Sequence, residues 1–571
     1  MKASLAAMAA ALALLAAPAT AQTARDYFHQ RVGANAAPRQ LSDEDRAYYR
    51  AVFDAIDQEQ WATVQEMLTQ RESGLLHPVA WAEFYLAKNS PRVEAPQIEA
   101  WLQTGAQLPQ APQMVRLGQT RGLAVFPALP VQRAMVTSPS APRRTRPRTV
   151  DDGTMPATVR QAILAKIDGD DPEGARLLLD GIDALLSPAA RAEWRQRIAW
   201  SFYIENLDAQ ALAMAQSVPA NGDGAWVAEA DFTTGLASFR NGDCATAGPA
   251  FERAAYGAQN PELRSAAFYW ASRSAVRCRE PERSAELLRG AASEDETLYG
   301  LLAHEQLGKV PPSRHSAADL SAADWRQLEG LANVRVAVAL AEVGRITLAS
   351  DVLLYQAKTG DPAQYEPLSR LARELGMPST QLYMAYNAPS GGRADAASRY
   401  PAPKWEPLNG WRVDPALAFA HTLQESNFQA RAVSPAQAQG LMQITPITVR
   451  QHAPSLGLGG QVNIFDPATN LAFGQRNLEM LRDDPGTQGR LPKIMAAYNA
   501  GLTPIRRWSA EVRDQNDPLL YMESIPYWET RSYVAIVMRN YWMYELQARA
   551  PSPSRVALAQ NAWPLFPGVE D

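Results

Sequence analysis

The residue whose type and setting best suit chemistry is Glu425. It stands near the end of a predicted helix that opens at Asp414-Pro415 and turns out through Asn427. Asp414 fits an N-cap, and Pro415 fits the first helical position, where its missing N–H costs nothing. Leu417, Ala420 and Leu423 share one face, so the helix is expected to be sunk along one side. A carboxyl there meets the negative end of the helix dipole and partial desolvation. Both disfavour its ionised form and suit it to general acid work.

Taken alone, a Glu near a helix end is ordinarily a solvated surface residue, and its companions carry the argument. After the Ser434-Pro435 turn comes Gly440-Leu441-Met442-Gln443-Ile444. Ala496-Ala497-Tyr498-Asn499-Ala500-Gly501 follows, and then Glu523-Ser524-Ile525-Pro526-Tyr527-Trp528-Glu529-Thr530-Arg531-Ser532-Tyr533-Val534. In that order, Glu-Ser, Gly-Leu-Met-Gln, Ala-Tyr-Asn-Ala-Gly and Ile-Pro-Tyr-x-Glu-Thr-Arg-x-Tyr-Val resemble the soluble lytic transglycosylases, bacterial murein-cleaving enzymes with a goose-lysozyme-like catalytic domain. Four ordered motifs are far more specific than any one of them. They fall in the C-terminal part of the chain; the N-terminal part resembles the family only in helical texture and a few local phrases.

Glycosidic cleavage usually uses two carboxyl groups, one protonated and one a base or nucleophile. Asp414 and Asp466 read as caps before Pro, and Glu479, Asp483 and Asp484 as a charged helix end, which leaves Glu425, Glu523 and Glu529. The resemblance implies a different solution. One Glu protonates the leaving oxygen of a MurNAc–GlcNAc bond. It then takes the proton of the C6 hydroxyl of that MurNAc, which closes onto C1 to give a 1,6-anhydro sugar without water. One carboxylate suffices because the nucleophile is intramolecular and already positioned.

The resemblance makes Glu425 that acid and base, with Ser426 as a partner holding it or the lactyl group. Gly440 is expected where a Cβ would obstruct a sugar, leaving backbone amides to the glycan. Gln443 offers an amide to sugar hydroxyls and N-acetyl groups. Met442 either pads the cleft or belongs to the core with Leu441 and Ile444. Tyr498 and Asn499 are implied to face Glu425, with the Tyr498 hydroxyl on the acid or the sugar. Glu529 matches the family's second carboxylate, unless Arg531 simply pairs with it, and Tyr533 is expected to line the same cleft. Thr445 departs from the Met of the best-known members, which alters the expected sugar-stacking surface. No cofactor is implied, and the 6 His show no metal-ligand spacing.

The elements that must position these groups read as all-α: a TPR-like helical superhelix followed by a lysozyme-like helical catalytic domain. Strand signals are nearly absent. At 571 residues the chain is too long for one core. Met1-Lys2, an Ala/Leu run and Pro18-Ala-Thr-Ala21 describe a secretory signal over 1–21, its apolar run shorter than the ~20 residues of a membrane span. A helical segment is expected over 22–125. A Pro/Arg-rich stretch over 126–152 reads as a flexible insertion or extended linker, with Arg143-Arg144-Thr145-Arg146 as a solvated loop. Over 153–315, Ala199, Ala237 and Ala271 recur on aromatic-bearing helices, each followed by a polar turn, the rhythm of stacked helical hairpins. A helical linker domain follows over 316–400, the catalytic domain over 401–555, with Gly501 as a left-handed helix cap, and a tail over 556–571.

Net charge of −5 gives no electrostatic case for nucleic acid or a polybasic membrane patch, and no later stretch is apolar enough to span a bilayer. The cysteines, Cys244 and Cys278, are compatible with a pair or with two buried thiols. The implied setting is the periplasm of a Gram-negative bacterium. The implied partners are peptidoglycan glycan strands, with cell-wall synthesis or division proteins docking on the helical array. Two rival readings are a goose-lysozyme-type hydrolase and a non-catalytic glycan-binding scaffold.

Overall fold

The computed structural model describes residues 23–31, 37–221, 224–310, 319–459 and 462–568. The signal over 1–21 lies outside the described residues. Among those described, the chain is all-α apart from two three-residue strands, Met135–Thr137 and Asn387–Pro389, paired antiparallel. No described helix is long and apolar enough to cross a membrane.

Two cores organise the molecule, and their boundaries cut across the sequence. The first joins the N-terminal helices between Asp43 and Thr120 to the helices between Ala322 and Tyr386, with Val52, Ile98, Leu340 and Leu371 buried together. What reads as a separate linker domain thus shares a core with the N-terminal helices. The second runs from the helical repeat into the C-terminal helices without a break, from Trp194 and Trp270 to Leu417 and Trp542. Ala199, Ala237 and Ala271 are fully buried, the last two within this core, as small residues between stacked helices are. The helix Ala24–Arg31 joins this second core, with Phe28 edge-on to Phe419 at 5.6 Å.

The repeat is clamped onto the C-terminal helices by buried polar contacts. The Tyr299 hydroxyl donates to Glu523 Oε1 at 2.6 Å and accepts from Trp270 Nε1 at 3.1 Å. Tyr203 and Ser524 share a 2.8 Å hydrogen bond, and Arg273 donates to Asp517 at 2.5 Å. Glu523 is thereby committed to the interface. Cys244 and Cys278 form a disulfide with a Cα separation of 5.7 Å, which ties two neighbouring hairpins.

The 126–152 stretch is extended and pinned along its length. Arg133 donates its backbone N–H to the Lys358 carbonyl at 2.8 Å, the strand Met135–Thr137 pairs with Asn387–Pro389, and Arg539 donates to the Pro142 carbonyl. The expected solvated loop is corrected at Arg144. Its guanidinium is bound by Glu229 at 2.6 Å with the side chain 15% exposed, because a carboxylate on the repeat offsets the cost of burying the charge. Arg143 and Arg146 are exposed. The segment is therefore a strap laid across the repeat and the C-terminal helices. The C-terminal stretch is also held, with Leu491 N–H donating to the Pro564 carbonyl and Phe566 N–H to the Gly489 carbonyl, each at 2.8 Å.

Candidate active site

The helix Pro415–Ser426 forms as its sequence indicates. Asp414 accepts from the Ala416 N–H at 2.9 Å, Pro415 stands at its start, and Asn427 closes it in the left-handed conformation. It is more deeply sunk than one apolar stripe requires: Pro415 through Thr422 are all buried, because the helix Trp528–Gln547 packs along it. The pattern of Leu417, Ala420 and Leu423 marks only part of that buried surface.

Burial pushes the Glu425 carboxyl up to about 7, a Tyr533 hydrogen bond opposes this, and the like charge of Glu529 adds to it. Tyr533 donates its hydroxyl to Glu425 Oε1 at 2.6 Å. The same hydroxyl lies 2.7 Å from Nδ1 of His421, a fully buried imidazole whose pKa burial lowers to about 3, so it is neutral. A carboxyl near neutrality can give a proton and take one back.

The Gly440–Ile444 loop closes on itself through Gln439 N–H to Ile444 C=O at 3.0 Å and the reciprocal bond at 2.9 Å. Gly440 has φ +76°, and a Cβ there would come within 2.2 Å of Asn470 Nδ2. Asn470 alone requires the glycine, whose N–H is committed to the Ala432 carbonyl at 2.8 Å. Met442 is core: its side chain is fully buried against Gly474. Its backbone does the positioning, with the N–H donating to Asn470 Oδ1 at 2.8 Å and the carbonyl accepting from the Tyr498 hydroxyl at 2.7 Å. Gln443 donates its amide to the Gly440 carbonyl at 2.9 Å, holding the loop.

The expected bond from Tyr498 to the acid is therefore made by Tyr533 instead. Tyr498 lies beside the site with its ring centroid 4.6 Å from that of His421, and it caps the Met442 carbonyl because its ring fills the gap between the loop and the Glu425 helix. Ser426 does not hold Glu425; its hydroxyl donates back to the Thr422 carbonyl at 3.3 Å. Asn499 accepts from Thr530 at 2.7 Å, and with exposed Glu529 it lines a cavity of about 700 Å³. Arg531 does not pair with Glu529 but turns the other way, donating to the Glu523 carbonyl at 3.3 Å. Thr445, where the resemblance expected an altered stacking surface, caps the helix Pro446–His452 by accepting from Thr448 N–H at 3.2 Å. Gly501 has positive φ with an extended ψ of 166°, not the left-handed helical cap expected.

Two positioning residues escaped the motifs. His421 sits on the motif helix four residues before Glu425, and its signal was a lone imidazole among Ala420 and Thr422. Asn470, fully buried, donates to the Gln439 and Ile464 carbonyls at 3.0 and 2.8 Å, and no local pattern set it apart. No cluster of His, Cys, Asp and Glu able to hold a metal occurs among the described residues.

Comparison with known proteins places this geometry. Residues 404–520 match the family described as Transglycosylase SLT domain, a span that holds Glu425, the Gly440 loop and Tyr498. The chain is 30% identical over 152 residues to a putative soluble lytic murein transglycosylase of Haemophilus influenzae, covering 26% of this chain and 25% of that one. It is 32% identical over 133 residues to the soluble lytic murein transglycosylase of Escherichia coli K12, covering 23% and 20%. The matches thus span a quarter or less of those relatives' length. The fold likeness is longer. The 70-kDa soluble lytic transglycosylase of Escherichia coli aligns with a TM-score of 0.53 at 15% identity over 92% of this chain and 99% of that one. A complex of the 70-kDa soluble lytic transglycosylase with bulgecin A aligns with a TM-score of 0.58 at 16% identity over 92% of this chain and 99% of that one. Residues 404–520, around Glu425, are thus similar to the transglycosylase SLT domain, and the chain shares the helical fold of the 70-kDa soluble lytic transglycosylase along most of its length.

Proposed function

We propose that the protein is an exported, periplasmic lytic transglycosylase that cleaves the β-1,4 MurNAc–GlcNAc bond of peptidoglycan without water. Glu425 gives its proton to the leaving GlcNAc oxygen as the C1–O bond breaks. The resulting carboxylate then takes the proton of the MurNAc C6 hydroxyl as O6 bonds to C1, so the acid is restored and a 1,6-anhydroMurNAc end is left. The observation that supports this best is the setting of Glu425: one carboxyl, desolvated to a pKa of about 7, with its hydrogen bond supplied by a neutral tyrosine rather than a second carboxylate. Tyr533 stabilises the carboxylate between the two proton transfers. Asn499 and exposed Glu529 line the approach, Glu529 placed to face a cationic transition state, and Tyr498 stands beside the acid.

Mass spectrometry of muropeptides released from purified sacculi tests the reading, with wild type and Glu425→Gln side by side. Anhydro-muropeptides are expected from wild type and not from the variant. Reducing-end products would make the protein a hydrolase of goose-lysozyme type, and no release by wild type would leave a glycan-binding scaffold.

A further inference from the structure

Beside the catalytic cleft, where the strap crosses between the repeat and the helix Trp528–Gln547, lies a small cavity of about 120 Å³. Its wall holds Arg531, which is 8% exposed. The guanidinium is sandwiched by indoles, 4.0 Å from the Trp200 ring and 4.7 Å from that of Trp528, and its hydrogen bond is to one backbone carbonyl. Arg146, from the strap, stands over the Trp528 ring at 4.8 Å. Among the described residues no carboxylate lies within ion-pair distance of either arginine. Glu229, on the same wall, is taken by Arg144, and Glu523 accepts from Tyr299.

A guanidinium has five N–H donors, and those of Arg531 not used on the Glu523 carbonyl are left to meet whatever enters the cavity its side chain lines. Both guanidiniums border one small space, and the planar fork of an arginine matches a carboxylate. Arg146, Trp200 and Trp528 also line the larger cavity of about 700 Å³ that reaches Asn499 and Glu529, so the two cavities adjoin. Exposed Asp168 borders both cavities and disfavours an anion carrying more charge than a carboxylate.

We propose that this junction is a carboxylate subsite for the stem peptide of the substrate, with Arg531 as its fixed cation and Arg146 delivered by the strap. The inference rests on the lytic reading for the identity of the ligand. Along a peptidoglycan strand with amide-linked lactyl groups the sugars are neutral and the carboxylates belong to the stems. A strand seated in the cleft presents those stems sideways, toward the repeat.

The test is calorimetric binding of a GlcNAc–MurNAc disaccharide tetrapeptide to the full chain. This ligand lacks the scissile bond, so binding is read whether or not the protein cleaves glycan. Wild type is expected to bind the free acid about tenfold tighter than the same ligand with every carboxylate amidated, and Arg146→Ala and Arg531→Lys to lose most of that difference. Arg146 is exposed, so its variant reports even where Arg531→Lys fails to fold. Equal affinity of wild type for acid and amide, or an unchanged preference in Arg146→Ala, would overturn the proposal. So would acetate competing as strongly as the peptide, which would leave a small-anion site. Failure of the lytic reading shows separately, as the absence of anhydro products from sacculi.

Discussion

His421 Nδ1 lies 2.7 Å from the Tyr533 hydroxyl, and this contact fixes which way the tyrosine's proton points. The imidazole is neutral, and its Nε2 is buried with no hydrogen-bond partner among the described residues. A bare nitrogen lone pair is less costly to strand than an N–H, so the proton sits on Nδ1 and is donated to the Tyr533 oxygen. Tyr533 then gives its own proton to Glu425 Oε1, leaving Oε2 to carry the catalytic proton.

Removing this support should move the acid. Tyr533→Phe deletes a hydrogen bond to the carboxylate form, worth about 1.5–3 kcal/mol, so the pH at which kcat/KM declines should rise by about one to two units. His421→Leu should move it the same way by less, because the tyrosine keeps its proton but loses its orientation, and His421→Asn should restore most of the wild-type profile. Coincident pH profiles for wild type and His421→Leu would rule the relay out.

The raised Glu425 pKa also carries a stability cost with a defined pH window. The folded value of about 7 lies above the ordinary 4.5, so the folded state holds the proton more tightly than the unfolded one. The cost is absent below pH 4.5, grows between the two values, and reaches about 3 kcal/mol above pH 7. Glu425→Gln should therefore match wild type in thermal midpoint at pH 4 and exceed it at pH 8, while losing catalysis by about a thousandfold. A variant no more stable than wild type at pH 8 would mean that the carboxylate is better solvated than its surroundings indicate.

The disulfide joins the start of the helix Cys244–Gly257 to the end of Pro261–Arg277 across a separation of 34 residues. Closing a loop of that length in the unfolded chain is worth about 3–4 kcal/mol. Cys244→Ser with Cys278→Ser should lower the urea midpoint of the repeat accordingly, read by the fluorescence of Trp194 and Trp270, which are buried in it. An unchanged midpoint under reducing and oxidising conditions would show that the bridge adds nothing to the hairpin packing.

The parts of this site legible in the sequence are those written locally. Asp414-Pro415 and Asp466-Pro467 declare helix starts through their own capping chemistry, and Glu425 follows from its place on the first of these. The helical class follows from period and composition. What was not legible depends on partners distant in the chain. Arg144 reads as solvated until Glu229, on the repeat, is brought to it. Gly440 reads as a gap for sugar until Asn470 is seen to occupy the place of its Cβ. The exchange of Tyr498 for Tyr533 at the acid has the same origin: both tyrosines sit in the motifs, and only the packing of the Trp528–Gln547 helix on Pro415–Ser426 decides which hydroxyl arrives. The shared core of the N-terminal helices and the 322–386 helices could not be read from either segment, because each contributes one face and neither names its partner.

Gly474 and Met442 offer a last test of how the site is held. A Cβ at Gly474 would fall 2.0 Å from Met442 Sδ and 2.7 Å from its Cε. Met442 is fully buried, so its thioether has little room to swing away, and with its Cβ 3.1 Å from the added methyl the strain passes to the backbone that Asn470 and Tyr498 hold. Gly474→Ala should destabilise the protein by about 1–3 kcal/mol, the usual cost of overpacking a filled core, and should lower kcat more than it raises KM by displacing Tyr498. Met442→Ala empties the space the new methyl needs, although alone it leaves a cavity. The double variant should then be less destabilised in urea than the sum of the two singles, by about 1 kcal/mol or more, as contacting residues behave. Strict additivity would mean that the thioether and the glycine do not meet, and that Tyr498 is positioned by something other than the Met442 carbonyl.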